Sequence, residues 1–223
     1  MAQRASPRAI RLGYNQDWNI YYFAKNKREN LELAKKVKVI QDHFYSRWNR
    51  NIAQLKIELN SNHLALKAYV AETSLILGEN NQNLEKILHD LYRTIGDDQI
   101  KVDLNLIKIK NPYTNAQLVS NMIADQLEKR LSFRRVLNFF LGKALEEQEV
   151  KGIWIKVRGR LDGAEQAQEK KVTRKKMPLS TMDIRIEEGE SMAVITKGVI
   201  GIKVVIYKGK VFISHKQIAY NIN

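Results

Sequence analysis

Apolar positions first recur at helical spacing: Leu33, Val37, Ile40, Phe44 and Trp48 lie four, three, four and four residues apart. That spacing winds them into one stripe and predicts an amphipathic helix over 29–49. The period then drops to two. Ala53, Leu55, Ile57 and Leu59 share one face of a strand, and Leu64, Leu66, Ala68 and Val70 share a face of a second, joined through Asn-Ser-Asn. An elbow at Gly78, a second amphipathic helix marked by Leu84, Ile87, Leu88 and Leu91, and a strand over 100–109 complete a first unit. Pro112 interrupts the apolar pattern between Lys110 and Tyr113 and sets the predicted boundary.

Beyond the boundary, Ala116, Val119, Ile123 and Leu127 stripe a predicted helix over 113–129, and Val136, Leu137, Phe140, Leu141 and Ala144 stripe another over 132–147. Four strands are predicted at 151–159, 182–188, 191–197 and 200–207. The polar, cationic run GRLDGAEQAQEKKVTRKKMP between the first two reads as a long exposed connection with a helical turn. The fold class is α+β. The expected organisation is a basic arm (1–16), a first domain (17–110), a second domain (111–210) with two helices packed on a four-stranded, mostly antiparallel sheet, and a loose tail (211–223).

Charge changes the picture more than length does. The 223 residues carry a formal net charge of +14 and a pI near 9.8, a field that favours a polyanion, nucleic acid or an acidic membrane surface. No apolar run approaches a bilayer span, which excludes an integral helical membrane protein. The field is uneven: residues 1–16 hold three basic and no acidic residues, 17–110 hold 15 and 12, and 111–223 hold 20 and 12, giving +3, +3 and +8.

Catalysis finds no support. The absence of cysteine removes thiolate chemistry, disulfides and most structural zinc sites, and the four histidines are scattered without ligand spacing. No metal, cofactor or small-molecule substrate is expected. Glu146–Glu147 and Glu187–Glu188 are adjacent pairs that point apart and read as solvated surface. No glycine-rich nucleotide loop or nucleophile elbow occurs. Lysines are plentiful, but no feature of the sequence marks one out for Schiff-base chemistry.

Binding is better marked. Lys129, Arg130, Arg134 and Arg135 surround the junction of the two predicted helices. Residues 151–176 hold nine basic and three acidic residues: besides Lys151 these are Lys156, Arg158, Arg160, Lys170, Lys171, Arg174, Lys175 and Lys176. On the first strand Lys156 and Arg158 alternate away from Ile153, Ile155 and Val157, placing charge on one face and core on the other. The N-terminal Arg4, Arg8 and Arg11 belong either to an organelle transit peptide or to an RNA-binding arm. The pair Gly198–Gly201 lies between strand patterns and reads as a bulge or close packing in a sheet.

Four stretches, in order and spanning nearly the whole chain, resemble the universal third protein of the small ribosomal subunit, of bacterial or organellar type. They are QRASPRAIRLG at the start, ADQLEKRLSFRRV at 124–136, KGIWIKVRGRLDGAE at 151–165 and KGVIGIKVVIYKG at 197–209. The resemblance implies a type II KH domain over 17–110 followed by a family-specific α/β domain. It implies a place in the head of the small subunit, bound to its rRNA and to neighbouring head proteins, and a share in lining the mRNA entry channel. The mRNA-facing positions fall on Lys129, Arg130, Arg134 and Arg135, with Asn138 where relatives carry a further basic residue. It favours an rRNA-threading arm (Arg4, Arg8, Arg11) over a presequence.

A KH turn needs two glycines for close approach to single-stranded nucleotides. Gly78 supplies the first and Asn81 replaces the second, while Glu79 places an acid where a phosphate would sit. Gly78, Glu79, Asn80 and Asn81 therefore read as a degenerate KH loop, with RNA affinity residing elsewhere. The alternative is a free-standing KH-type regulator of mRNA. A mitochondrion is the favoured compartment, from the Asn-, Lys- and Ile-rich composition, with plastid and bacterial cytoplasm as alternatives.

Overall fold

The computed structural model describes residues 5–60, 63–78, 82–95 and 100–211. Arg4, Glu79, Asn80, Asn81 and all but the first residue of the expected tail lie outside them. The chain divides into two units: one is Trp18–Lys110, and the other unites the segment before it with the segment after it.

In the first unit β1 (Ile20–Tyr22), α1 (Lys27–Trp48), β2 (Ile52–Leu59), β3 (His63–Val70), α2 (Ser74–Leu77), α3 (Leu84–Ile95) and β4 (Lys101–Lys108) follow in sequence. The sheet order is β1-β2-β3-β4. β2 and β3 are antiparallel, and each outer strand is parallel to its neighbour. Val37, Ile40 and Phe44 of α1 join Ile87 and Leu91 of α3 in one buried cluster with the apolar faces of β2 and β3. This is the predicted stripe meeting the predicted alternation. Ala53 departs from it. A register shift between Ile52 and Gln54 turns Ile52 into the core in its place. Strand β1 is three residues long, too short for a period-two signal.

The second unit contains α4 (Ala116–Glu128), α5 (Phe133–Glu146), β5 (Gly152–Gly159), β6 (Gln168–Arg174), β7 (Ile184–Ile195) and β8 (Gly198–Lys210). Its sheet runs β6-β5-β8-β7 and is antiparallel throughout. Ile153, Ile155 and Val157 of β5 and Ile202, Val204 and Ile206 of β8 share one core with the apolar stripes of α4 and α5. Helix α4 lies close on β7: a Cβ at Gly189 would overlap the backbone of Ala116 and Gln117.

Three sequence expectations are corrected here. The connection after β5 contains strand β6, paired along its length with β5. The strands expected at 182–188 and 191–197 are one continuous strand, β7, because Gly189 keeps its backbone in register with Val204. Gly198 is neither a bulge nor an internal packing site. It opens β8 directly after a tight turn at Thr196–Lys197, with φ +128°, a conformation that favours glycine.

The free edge of β7 is closed by side chains. Gln117 Nε2 donates to the Glu190 carbonyl at 2.8 Å and its Oε1 accepts from the Glu190 N–H at 3.2 Å, while Glu128 Oε1 accepts from the Val194 N–H at 3.0 Å. The N-terminal segment closes the rest. Asn15 Nδ2 donates to the Met182 and Ile184 carbonyls, Gln16 Nε2 to Ile186, and the Tyr14 hydroxyl to Asp183 Oδ1 at 2.6 Å. Capping an edge in this way removes a template for unwanted strand pairing.

Candidate nucleic-acid interface

Arg11, expected on a free RNA-threading arm, is fully buried. Its Nε donates to the Ile184 carbonyl at 3.1 Å, one terminal nitrogen to Pro7 at 2.6 Å, and the other to Leu179 at 2.9 Å and to Thr181. Burial lowers its pKa, yet the four carbonyls accept from a guanidinium that stays charged. The described part of the expected arm is thus a strap on the second unit, and Arg11 is its rivet rather than an RNA contact. Arg8, half-buried, makes no ion pair with a described residue.

The junction of α4 and α5 carries a different kind of cation. Helix α4 ends in a Schellman arrangement: Leu131 N–H donates to the Gln126 carbonyl at 3.3 Å and Arg130 N–H to Leu127 at 3.0 Å. The left-handed position in that motif, normally glycine, is Arg130 with φ +62°. Helix α5 begins with Ser132, whose side chain makes no cap, has no acid in its first turn, and places Arg134 and Arg135 there. Cations at a helix N-terminus oppose its dipole. One acid that does meet this helix start is Asp162, whose Oδ1 accepts from the Phe133 N–H at 3.5 Å. The Arg134 guanidinium lies 5.7 Å from the Phe133 ring centroid. Lys129, Arg130, Arg134 and Arg135 are all exposed, so two of the four occupy positions that local helix physics disfavours and a third a strained backbone.

A second cationic surface follows β5 and β6. The register sets Lys171 opposite Lys156, and Lys156 opposite Lys203 of β8, a row of three lysines across adjacent strands on the outer sheet face. Like charges directly opposite repel. Acids relieve part of the row: Glu169 meets Lys156 at 2.8 Å, while Glu188 and Glu190 hold Lys203. Burial alone would depress the Lys203 ammonium, but the hydrogen bonds to Glu188 and Glu190 outweigh it and raise its pKa. Lys171 Nζ sits 4.9 Å from the Trp154 ring centroid.

Arg158, Lys170, Arg174, Lys175 and Lys176 are exposed and make no ion pair with a described residue. Lys170 and Arg174 lie on the helix-side face of β6 and Lys171 on the other, so the edge strand presents charge to both sides. Lys175 has φ +59°, again a cation where glycine is the usual choice. Arg160 is engaged locally: its Nε donates to the Ala164 carbonyl at 2.8 Å and its guanidinium braces the hairpin at Lys197.

Two further expectations meet the structure differently. Glu187 and Glu188 do point apart, but they are partly buried in ion pairs with Lys208 and Lys203 rather than solvated. At the elbow, Gly78 ends α2 with φ +72°, and its N–H donates to the Ser74 carbonyl at 2.9 Å. A Cβ there would meet only the movable end of the Asn83 side chain, at 2.8 Å, so it is the dihedral that favours glycine at this turn. Among the described residues no cluster of His, Asp or Glu could hold a metal ion. Lys203 is the cation that sequence reading passed over. Its signal was the alternation of KVVIYKG, which puts it on the outer face beside Lys156.

Residues 123–206 match the family described as ribosomal protein S3, C-terminal domain. The chain is 34% identical to the small ribosomal subunit protein uS3 of Desulforudis audaxviator (strain MP104C), covering 95% of each chain. It is 32% identical to that of Clostridium botulinum (strain Okra / Type B1) over 98% of this chain and 96% of the relative. To that of Spiroplasma citri it is 31% identical over 95% of this chain and 83% of the relative.

Proposed function

Because the chain belongs to the small ribosomal subunit protein uS3 family, a structural and non-enzymatic family of RNA-binding ribosomal proteins, we propose that its two cationic surfaces divide the labour of the subunit head. The surface along β5 and β6, with Arg158, Lys170, Lys171, Arg174, Lys175 and Lys176, anchors rRNA. The α4–α5 corner, with Lys129, Arg130, Arg134 and Arg135, lines the mRNA entry channel.

The observation that carries this reading is placement against local stability. A left-handed non-glycine residue costs about 1 kcal/mol, and cations at a helix N-terminus cost a few tenths of a kcal/mol each. Helix geometry disfavours all three arginines at these positions, whereas a phosphate chain passing the corner would favour them.

The first unit is a KH-type fold in this reading, supported by its order of α1, β2, β3, α2, α3, β4 with Gly78 at the α2–α3 turn. Glu79 and Asn81 blunt its single-strand clamp, leaving it as scaffold. Compartment follows composition: the Asn, Lys and Ile content supports a mitochondrial ribosome, while the relatives named above are bacterial, and cell fractionation distinguishes the settings.

Sedimentation tests the whole reading. The bulk of the protein is expected to travel with the small subunit through moderate salt. A free pool that binds mRNA without subunits would point instead to a KH-type regulator.

A further inference from the structure

Helix α5 turns one face to the core and the other to solvent. Phe133, Val136, Leu137, Phe140, Leu141 and Ala144 are buried, while Arg134, Arg135, Asn138, Phe139 and Gly142 are exposed. Two residues of the exposed face have no account in the fold. Phe139 is 52% exposed, a large apolar ring on the side where a surface helix is ordinarily polar. Buried Phe140 braces it, at 5.3 Å between ring centroids and 85° between planes. Gly142 stands inside the same helix, where glycine is less stable than alanine. A Cβ there would meet nothing within 4 Å, and its φ is not positive. Neither packing nor dihedral asks for glycine.

The two lie three residues apart, so the open notch at Gly142 adjoins the Phe139 ring on the helix surface. Arg135 precedes Phe139 by one turn and Lys143 follows it by one turn, while Asn138 neighbours both Arg135 and Gly142. Arg134, Arg135 and Asn138 make no hydrogen bond or ion pair with a described residue. Lys143 meets Glu146 at 3.0 Å. The make-up of this strip favours a nucleic-acid base over a protein surface. A protein interface is centred on a cluster of apolar and aromatic side chains, and Phe139 is the one large apolar side chain exposed on α5. A lone ring set among cations is how single-stranded nucleic acid is held: the base stacks on the ring and the backbone meets the charges.

Resting on the assignment of the α4–α5 corner to mRNA, we propose that α5 carries a base-stacking site. An unpaired base lies on Phe139 and enters the notch at Gly142, Asn138 faces its hydrogen-bonding edge, and Arg134 and Arg135 take the adjoining phosphates. A base stacked and paired within a duplex cannot offer that face, so the site distinguishes single-stranded message from helical RNA.

The test irradiates the full chain with a single-stranded RNA carrying 5-iodouridine, which bonds photochemically to an aromatic ring it stacks on, and maps the modified peptide. A cross-link at Phe139 is expected, and none when the same RNA is annealed to its complement. Gly142→Leu fills the notch and is expected to lower the yield at least about fivefold while raising the urea midpoint of unfolding. An absent Phe139 adduct, an equal yield from duplex, or an undiminished yield in Gly142→Leu overturns the stacking site. So does a photoreactive phenylalanine derivative at position 139 that joins a second protein, and not RNA, in sedimenting small subunits. RNA carrying 4-thiouridine, which cross-links at short range without stacking, separates the two readings. Adducts within 129–143 with no stacking adduct at Phe139 remove the stacking site alone; no adduct within 129–143 removes the mRNA assignment of the corner as well.

Discussion

At the scale of single residues, charge alone did not separate an anchor of the fold from an exposed cation. Arg11 and Arg134 look alike in the sequence. What distinguishes them is that the carbonyls receiving Arg11 come mostly from residues 168 to 173 positions away, a relation no local pattern reports. Each buried carbonyl left without its donor costs about 1–3 kcal/mol. Arg11→Ala is therefore expected to destabilise the protein by at least about 3 kcal/mol. Arg11→Lys recovers little of this, because an ammonium lacks the planar fork. Urea titration of the full chain reads both.

Arg130→Gly should do the opposite, stabilising by about 1 kcal/mol at φ +62° while weakening RNA binding. A variant that gains stability and keeps full affinity would show that Arg130 does not touch RNA.

Among elements, those with a continuous apolar stripe were legible: α1, β2, β3, α4, α5 and β8 fall where the 3.6- and 2-residue periods put them. Strand β6 was hidden because Gln168–Arg174 offers only Val172 as a core-facing apolar residue, and an edge strand needs no more. Its cations read as a loop when the same charges guard a sheet edge. Their removal separates charge from fold. Replacing Lys170, Arg174 and Lys176 with alanine should leave the unfolding midpoint nearly unchanged. The dependence of log affinity for small-subunit rRNA on log salt should become shallower by about 0.7–0.9 for each phosphate that is no longer neutralised.

Helix α1 carries a pH dependence of its own. Burial first, and Arg47 second, hold the His43 imidazole below its usual pKa of 6.5, against a weaker pull from Asp90. The unfolded chain then binds the proton more readily, so this contribution is complete above the unfolded pKa and is lost as pH falls through it towards the lower folded value. The unfolding midpoint of the full chain should drop between about pH 7.5 and about pH 5.5, and His43→Gln should flatten that change. An equal drop in both proteins would assign the effect elsewhere.

For the whole molecule, the boundary near Lys110 was readable from Pro112, but the composition of the second unit was not. Its described N-terminal portion is a strap that covers the edge of β7, so the unit is assembled from both ends of the sequence around an intervening one. The net charge of +14 told of a polyanion without saying which cations face it. The proposed function assigns that role to exposed side chains without acidic partners among the described residues, at the α4–α5 corner and along β5–β6. A density map of the assembled small subunit tests that choice most directly. Arg134, Arg135, Arg158, Lys170, Arg174, Lys175 and Lys176 should lie within ion-pairing distance of phosphate oxygens, with the Gly78 turn free of nucleotides. The same map with these side chains facing solvent and single-stranded RNA gripped at Gly78 would contradict the account.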